Sequence, residues 1–175
     1  MGYLQKKLTS SQIIIIGFAS VILFGALLLM LPFATIDGNG AEFKDALFTA
    51  TSAVCVTGLI VQDTATYWSY FGQGVILLLI QIGGMGVVTL AVAFTMLSGK
   101  RISLKQRSTM QEAISAPQVG GIVKFTGFIL IMTLIFELLG AVLMSPIFCK
   151  EFGLFRGIWY SLFHSVSAFC NAGID

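Results

Sequence analysis

Two short segments of the sequence carry the same small and thiol-bearing residues at the same spacing. Residues 46–59 and 161–174 align at an offset of 115, and six of their fourteen positions are identical. The identities include the pattern Ser-Ala-x-Cys-x-x-Gly, which ends at Gly58 in the first segment and at Gly173 in the second. Glycine adopts backbone angles that other residues avoid, so a loop at such a residue can turn successive carbonyl oxygens to one side. Such carbonyls replace the water shell of a dehydrated cation in potassium-channel filters.

The chain is too apolar for a soluble domain. Of its 175 residues, 57% are hydrophobic and 10% are charged, whereas soluble domains carry about 25% charged residues. This composition excludes a soluble enzyme, a nucleic-acid-binding protein and a disordered regulator. We therefore predict an all-α integral membrane protein without a nucleic-acid partner. Enzyme function is not expected, because the motifs Gly-x-Ser-x-Gly and His-Glu-x-x-His do not occur.

Three apolar runs are long enough to cross the hydrocarbon core of a bilayer as helices, which takes about 20 residues. They cover residues 13–33, 71–97 and 125–148. A signal peptide is the alternative for the first run, but the run is longer than a signal peptide's apolar region and no small-residue cleavage site follows it. Lys6, Lys7 and the basic segment 100–124 lie on one side of these spans. The positive-inside rule therefore predicts a cytoplasmic N-terminus.

Two further stretches, residues 42–59 and 157–175, are too short and too polar to span the membrane, which is typical of re-entrant segments. Each is predicted to form a short pore helix followed by a loop that ends in the repeated glycine. Such a helix directs its partly negative C-terminal end towards the cavity, which favours a cation there. A helix C-cap or an ordinary turn is the alternative role of either glycine alone. The predicted organisation is a first unit over 1–99, a basic cytoplasmic loop over 100–124 and an incomplete second unit over 125–175.

Three motifs resemble those of the Trk/Ktr/HKT superfamily of potassium transporters, and most closely the membrane subunit of bacterial Ktr systems. They lie at residues 51–59, 81–86 and 167–175. The resemblance implies four units of helix, pore helix, filter loop and helix around one pore, of which this chain holds two, as the N-terminal half of a longer protein. It also implies a potassium-binding filter of backbone carbonyls, formed by Val54, Cys55, Val56, Thr57, Gly58, Phe169, Cys170, Asn171, Ala172 and Gly173.

The resemblance further implies potassium uptake across the bacterial cell membrane by a multi-pass pore subunit. The partners would be a second copy of the subunit, membrane lipid and a cytosolic ring of nucleotide-binding regulatory subunits. No covalent cofactor is expected, the role of sodium stays open, and the gate would lie beyond Asp175. The basic segment has two explanations, contact with lipid headgroups or contact with the regulatory subunits. A non-conducting membrane scaffold or assembly subunit is the alternative function, although it leaves the repeated motif unexplained.

Two features within the predicted spans, a glycine-rich motif and a carboxylate, can each be interpreted in two ways. The glycines of Gln81-Ile-Gly-Gly-Met-Gly would let another helix approach closely, or they would bend the helix near the cavity. Glu137 lies in mid-span, where an ionised carboxylate is costly. It is either a cation-attracting or coupling group, or an interior side chain that is paired or protonated.

Several other residues are expected to have structural roles. His164 is the only histidine and lacks a thiol or carboxylate at ligand spacing, so we expect a polar residue bonded behind the loop and no metal site. The thiols of Cys55 and Cys170 are expected to pack behind their loops, because potassium prefers oxygen to sulfur. An interfacial aromatic belt is predicted for Tyr67, Trp68 and Tyr70.

Overall fold

The computed structural model describes residues 9–86 and 122–174, together with Thr89 and Gln111, and this part of the chain contains helices and no strand. The elements are α1 (Ser10–Leu29), a 3-10 turn (Pro32–Ala34), α2 (Phe43–Cys55), α3 (Thr64–Tyr67), α4 (Tyr70–Met85), α5 (Ile122–Phe152) and α6 (Leu154–Phe169). The predictions for Lys6, Lys7, most of the basic segment and the end of the second span concern residues outside this part.

Two of the described helices are long and apolar enough to cross a membrane. These stretches are Ser11–Leu29 of α1 and Phe125–Phe152 of α5, and α4 is a shorter apolar helix. Large apolar side chains remain exposed on both long helices, for example Phe24 (64%) and Leu143 (69%). In lipid this exposure carries no hydrophobic cost, because the acyl chains are as apolar as the side chains. The helical structure and this surface agree with an all-α membrane protein.

Helix α1 ends four residues before the end of the predicted span, because Pro32 lies just beyond it. Leu31 has extended backbone angles (φ −66°, ψ 145°), as expected for a residue before proline. Pro32 then begins the 3-10 turn. The predicted span included Phe33 because this residue is apolar, although its exposed side chain lies beyond the end of the helix.

Helix α5 continues through Pro146, a residue that has no N–H and so leaves the carbonyl four residues earlier without its helical donor. That carbonyl belongs to Val142. The hydroxyl of Ser145 donates to it at 2.9 Å. A side chain therefore replaces the missing backbone donor, and the helix runs on to Phe152.

The described helices form two packed groups joined by α4. Helices α1, α2 and α4 pack together, α5 packs along α6, and α4 also contacts α6. The small residues Ala46, Ala50 and Ala53 on one face of α2 are completely buried. Their spacing of four and three residues is that of a single helix face. Because alanine is so small, α2 fits closely between its neighbours.

The segment that follows α1 is paired with the segment that precedes α4. An isolated antiparallel bridge joins Thr35 to Trp68, and the N–H of Ile36 donates to the Tyr67 carbonyl at 3.0 Å. Trp68 is only 1% exposed, so its assignment to an interfacial aromatic belt is wrong. The bridge holds its backbone inside the fold, and its indole packs beside Gly72 of α4.

Candidate functional site

The short helices α2 and α6 end with the same hydrogen bonds at positions related by the offset of 115. From donor N–H to acceptor carbonyl, these bonds join Thr57 to Ser52 (3.0 Å), Val56 to Ala53 (3.3 Å), Ala172 to Ser167 (2.7 Å) and Asn171 to Ala168 (3.0 Å). A pair of bonds of this kind is the Schellman motif, which ends a helix and turns the chain away from its axis. Both helices therefore stop short of a membrane thickness and continue as irregular loops.

The backbone angles of the two loops also match. Val56 (φ 55°) and Asn171 (φ 57°) have positive φ, and so do Gly58 (φ 72°) and Gly173 (φ 64°) two residues later. Positive φ is uncommon for a non-glycine residue and exceptional for a β-branched one such as valine. Outliers of this kind concentrate at functional sites, where the surrounding structure holds them in place.

The two loops meet, although 115 residues separate them in sequence. A Cβ added to Gly58 would overlap the carbonyl oxygen of Ala172 and would lie 3.6 Å from that of Gly173. The backbone of the first loop therefore passes directly beside carbonyl oxygens of the second. Only a residue without a side chain permits this approach.

The matched serines of the two segments fasten the loops in different ways. The hydroxyl of Ser52 accepts a hydrogen bond from the Thr57 hydroxyl at 3.0 Å. The hydroxyl of Ser167 donates to the Ile174 carbonyl at 2.7 Å and accepts from its N–H at 3.1 Å. Both serines are buried. Each is the first residue of the repeated Ser-Ala-x-Cys-x-x-Gly pattern, which by itself did not indicate this role.

Replacing Ser167 by Ala is expected to destabilise the complete protein by about 1–3 kcal/mol, because two backbone groups of Ile174 lose their partner in a buried place. Hydrogen exchange at the Ile174 amide should accelerate, and the midpoint of thermal unfolding in detergent should fall. The control is Ser20→Ala, since the exposed Ser20 bonds only to the Ile16 carbonyl of its own helix. Unchanged exchange at Ile174 in the Ser167 variant would contradict this role.

The first loop runs back along α2 in a mostly extended form. The Gln62 side chain donates to Asp45, near the start of α2, at 2.8 Å. The helix carries the chain about 16 Å from Asp45 to Val56 at 1.5 Å per residue. The six residues 57–62 must bring the chain back to Asp45, and six residues span about 20 Å only when they are extended. The helix and the extended segment that follows it together form a helix–loop hairpin.

Each loop presents two carbonyl oxygens without a hydrogen-bond partner among the described residues. In the described part of the chain, no hydrogen bond reaches the carbonyl oxygens of Thr57, Gly58, Ala172 or Gly173. Uncompensated carbonyls at membrane depth are costly unless they line a watery cavity or bind a ligand. Such oxygens are suitable ligands for a hard cation.

Three of the predicted filter residues belong to the helix ends and not to the loops. Val54 and Cys55 complete α2, and Phe169 completes α6. A Cβ added to Gly83 of α4 would overlap the Val54 carbonyl oxygen, so this carbonyl faces α4. The close approach expected for these glycines therefore involves the end of a short helix. Gly86, with φ 81°, lies at the C-terminal end of α4.

The remaining candidate side chains are distributed around the loops. His164 lies within hydrogen-bond distance of the Tyr160 carbonyl one turn earlier, at 2.9 Å. Cys55 is exposed among the described residues, contrary to expectation, whereas Cys170 is half-buried beside α4. Glu137 is buried, and its carboxylate accepts a hydrogen bond from Gln81 at 2.8 Å. Within residues 9–86 and 122–174, no group of three metal-ligating side chains occurs.

Two exposed aspartates near the Thr35–Trp68 bridge keep their negative charge. Hydrogen bonds from the side chains of Thr35 and Asn39 lower the pKa of Asp37. Hydrogen bonds from the Thr66 hydroxyl and N–H lower the pKa of Asp63. Both carboxylates therefore stay ionised at neutral pH and attract cations over about 8 Å at physiological ionic strength.

Comparison with known proteins identifies the family. The TrkH family, described as cation transport proteins, matches residues 5–175. The chain belongs to the TrkH family. This confirms the resemblance carried by the three glycine-containing motifs, and the family consists of transport proteins and not of enzymes.

Individual TrkH relatives are similar over nearly the whole chain. The potassium/sodium uptake protein NtpJ of Enterococcus hirae is 45% identical over 98% of the chain. Ktr system potassium uptake protein B of Bacillus subtilis is 44% identical over 97% of it, and protein D of the same species is 34% identical over 99%. The matched regions cover 38–39% of the length of these relatives. The chain thus corresponds to part of a TrkH-type protein.

Proposed function

We propose that the complete protein takes up potassium ions across the bacterial cell membrane through a selectivity filter of backbone carbonyls, to which this chain contributes two loops. The contact between Gly58 and the carbonyl of Ala172 carries the proposal. It brings together two irregular loops, each at the end of a short helix and each with the same backbone turn. The names of the relatives describe potassium uptake, which supports potassium as the ion, and the name of NtpJ includes sodium as well.

The proposed filter is formed by the loop residues Val56, Thr57, Gly58, Cys170, Asn171, Ala172 and Gly173, whereas Val54, Cys55 and Phe169 end the short helices that hold it. The carbonyls of residues 57–58 and 172–173 accept no hydrogen bond from the described residues, which supports coordination of a dehydrated cation. The negative ends of α2 and α6 lie at these loops and favour positive charge there. Two loops supply half of a fourfold ring, and we propose that two further units complete it.

The assembly proposed for the complete protein follows the family resemblance. The N-terminus is cytoplasmic, two pore subunits form a homodimer within the lipid, and a cytosolic ring of nucleotide-binding subunits regulates them. The term "Ktr system" in the names of two relatives supports partner proteins. The proposed outer surface holds the ionised Asp37 and Asp63, which raise the local cation concentration.

The proposal is tested by reconstituting the complete protein in liposomes and measuring potassium and sodium uptake driven by an imposed membrane potential. We expect potassium to enter well above the rate of protein-free liposomes and about tenfold or more faster than sodium, which corresponds to about 1.4 kcal/mol of discrimination. No uptake above that of protein-free liposomes, from correctly folded protein, would support the non-conducting scaffold instead.

A further inference from the structure

A pair of polar side chains, half-buried Gln81 and buried Glu137, lies between α4 and α5, next to the second loop. The Nε2 of Gln81 donates to the Oε1 of Glu137 at 2.8 Å, and Glu137 is only 3% exposed. The sequence left this carboxylate as either a cation-attracting group or a paired interior one. Its contacts show a paired group whose partner reaches the second loop.

On the α4 side, the pair holds Cys170. The thiol of Cys170 lies 3.9 Å from the Oε1 of Gln81, a long contact for a weak S–H donor. One turn further along α4, a Cβ at Gly84 would lie 2.6 Å from the Cys170 sulfur. Gln81 and Gly84 therefore form a notch that accepts this side chain of the second loop.

On the α5 side, Ser165 of α6 is held by the backbone of residue 137 and not by its side chain. The Ser165 hydroxyl donates to the Glu137 carbonyl at 2.6 Å and is buried. A Cβ at Gly140, one turn after Glu137, would overlap that hydroxyl. Both α4 and α5 thus present a polar residue followed three positions later by glycine. The end of α6 and its loop are held between these two notches.

The hydrogen bonds of the pair have a direction. The Oε1 of Glu137 is the acceptor, whereas the Gln81 amide has one accepting and one donating end of nearly the same shape. Glu137 therefore draws the NH2 group of Gln81 towards itself and turns the amide oxygen towards the Cys170 thiol. Without an acceptor at position 137, the amide could rotate and present its NH2 group to the thiol.

We propose that Gln81 and Glu137 are positioning residues that set the place of the second loop and thereby determine the cation selectivity of the pore. The inference rests on the proposed function. Cation selectivity depends on the carbonyls that surround the ion, and the two notches bear on the backbone of α6 and its loop. Glu137 acts here as a hydrogen-bond acceptor and not through its charge.

The test compares Glu137→Gln with Glu137→Leu in the complete reconstituted protein. Gln keeps an acceptor for Gln81 and removes the charge, whereas Leu removes the acceptor and suits the apolar surroundings. We expect E137Q to keep the potassium-to-sodium uptake ratio within about twofold. E137L should lower the ratio roughly fivefold, the change that corresponds to the free energy of one typical hydrogen bond. In E137L the half-saturating potassium concentration should rise while the maximal rate stays similar.

A double variant keeps the test informative if a single variant folds poorly. Q81L alone leaves the Glu137 carboxylate buried without its partner and is expected to reduce the yield of folded protein. Q81L/E137L leaves neither group unpaired, so it should fold and lower the ratio as E137L does, since both variants lose the bond that turns the Gln81 amide oxygen towards Cys170. Equal losses in E137Q and E137L would overturn the inference in favour of a charge-based role.

An unchanged uptake ratio in folded E137L would also overturn the inference. The proposed function would still hold in that case if substitution of Gly58 lowers the ratio. Failure of the Gly58 substitution to change the ratio would contradict the filter itself, so the two failures are distinguishable.

Discussion

Replacing Gly58 by Ser in the complete protein is expected to lower the potassium-to-sodium uptake ratio by about tenfold or more. Two physical effects act together at this position. Gly58 has φ 72°, where an L-residue with a side chain is strained by about 1–2 kcal/mol. Its Cβ would also overlap the carbonyl oxygen of Ala172, so the second loop would have to move. The measurement is potassium and sodium flux into liposomes.

Two other glycines separate these effects. Gly173 has φ 64° and lies in the second loop, but a Cβ there would meet nothing within 4 Å among the described residues. Gly173→Ser therefore carries the backbone strain without the overlap and should have a smaller effect. Gly38 has φ 74° and is equally open, but it lies outside both loops, so Gly38→Ser should leave the ratio unchanged. Equal uptake ratios for G58S and G38S would rule out a place for Gly58 in the filter.

Replacing Gly83 by Ala is expected to destabilise the protein by about 1–3 kcal/mol, the usual cost of adding a methyl group to a closely packed interior. A Cβ at this position would lie 2.7 Å from the Val54 carbonyl carbon and 2.9 Å from its Cα. These are backbone atoms, which cannot rotate away as a side chain can. Either α4 or the end of α2 must move, so uptake should fall together with the midpoint of thermal unfolding in detergent.

The matched control lies in the same helix. Gly74 has only Trp159 nearby, at 3.9 Å from an added Cβ, which is an ordinary contact. Gly74→Ala should therefore stabilise α4 by about 0.5–1 kcal/mol, because alanine loses less backbone entropy than glycine in a helix. Identical unfolding midpoints for G83A and G74A would contradict the close approach of α4 to the end of α2.

The local features of the site could be predicted from the sequence. The apolar runs indicated membrane helices, and the repeated Ser-Ala-x-Cys-x-x-Gly pattern indicated two short helices that end in glycine loops. Hydropathy and glycine preference are properties of neighbouring residues, so they can be recognised without coordinates. The same pattern contained the two serines that fasten the loops, but their different partners, Thr57 and Ile174, could not be deduced from it.

The sequence by itself determined that this chain is a membrane protein of the TrkH family with two matching loop segments. Only the tertiary structure decided which residues meet: Gly58 with Ala172, Gly83 with Val54, and Gln81 with Glu137. It also decided that Trp68 is buried, although a tryptophan next to the end of an apolar run is typical of a membrane interface. Which segments form membrane helices follows from the local sequence pattern. Contacts between distant segments depend on how whole helices pack, and this packing depends on the complete set of side chains.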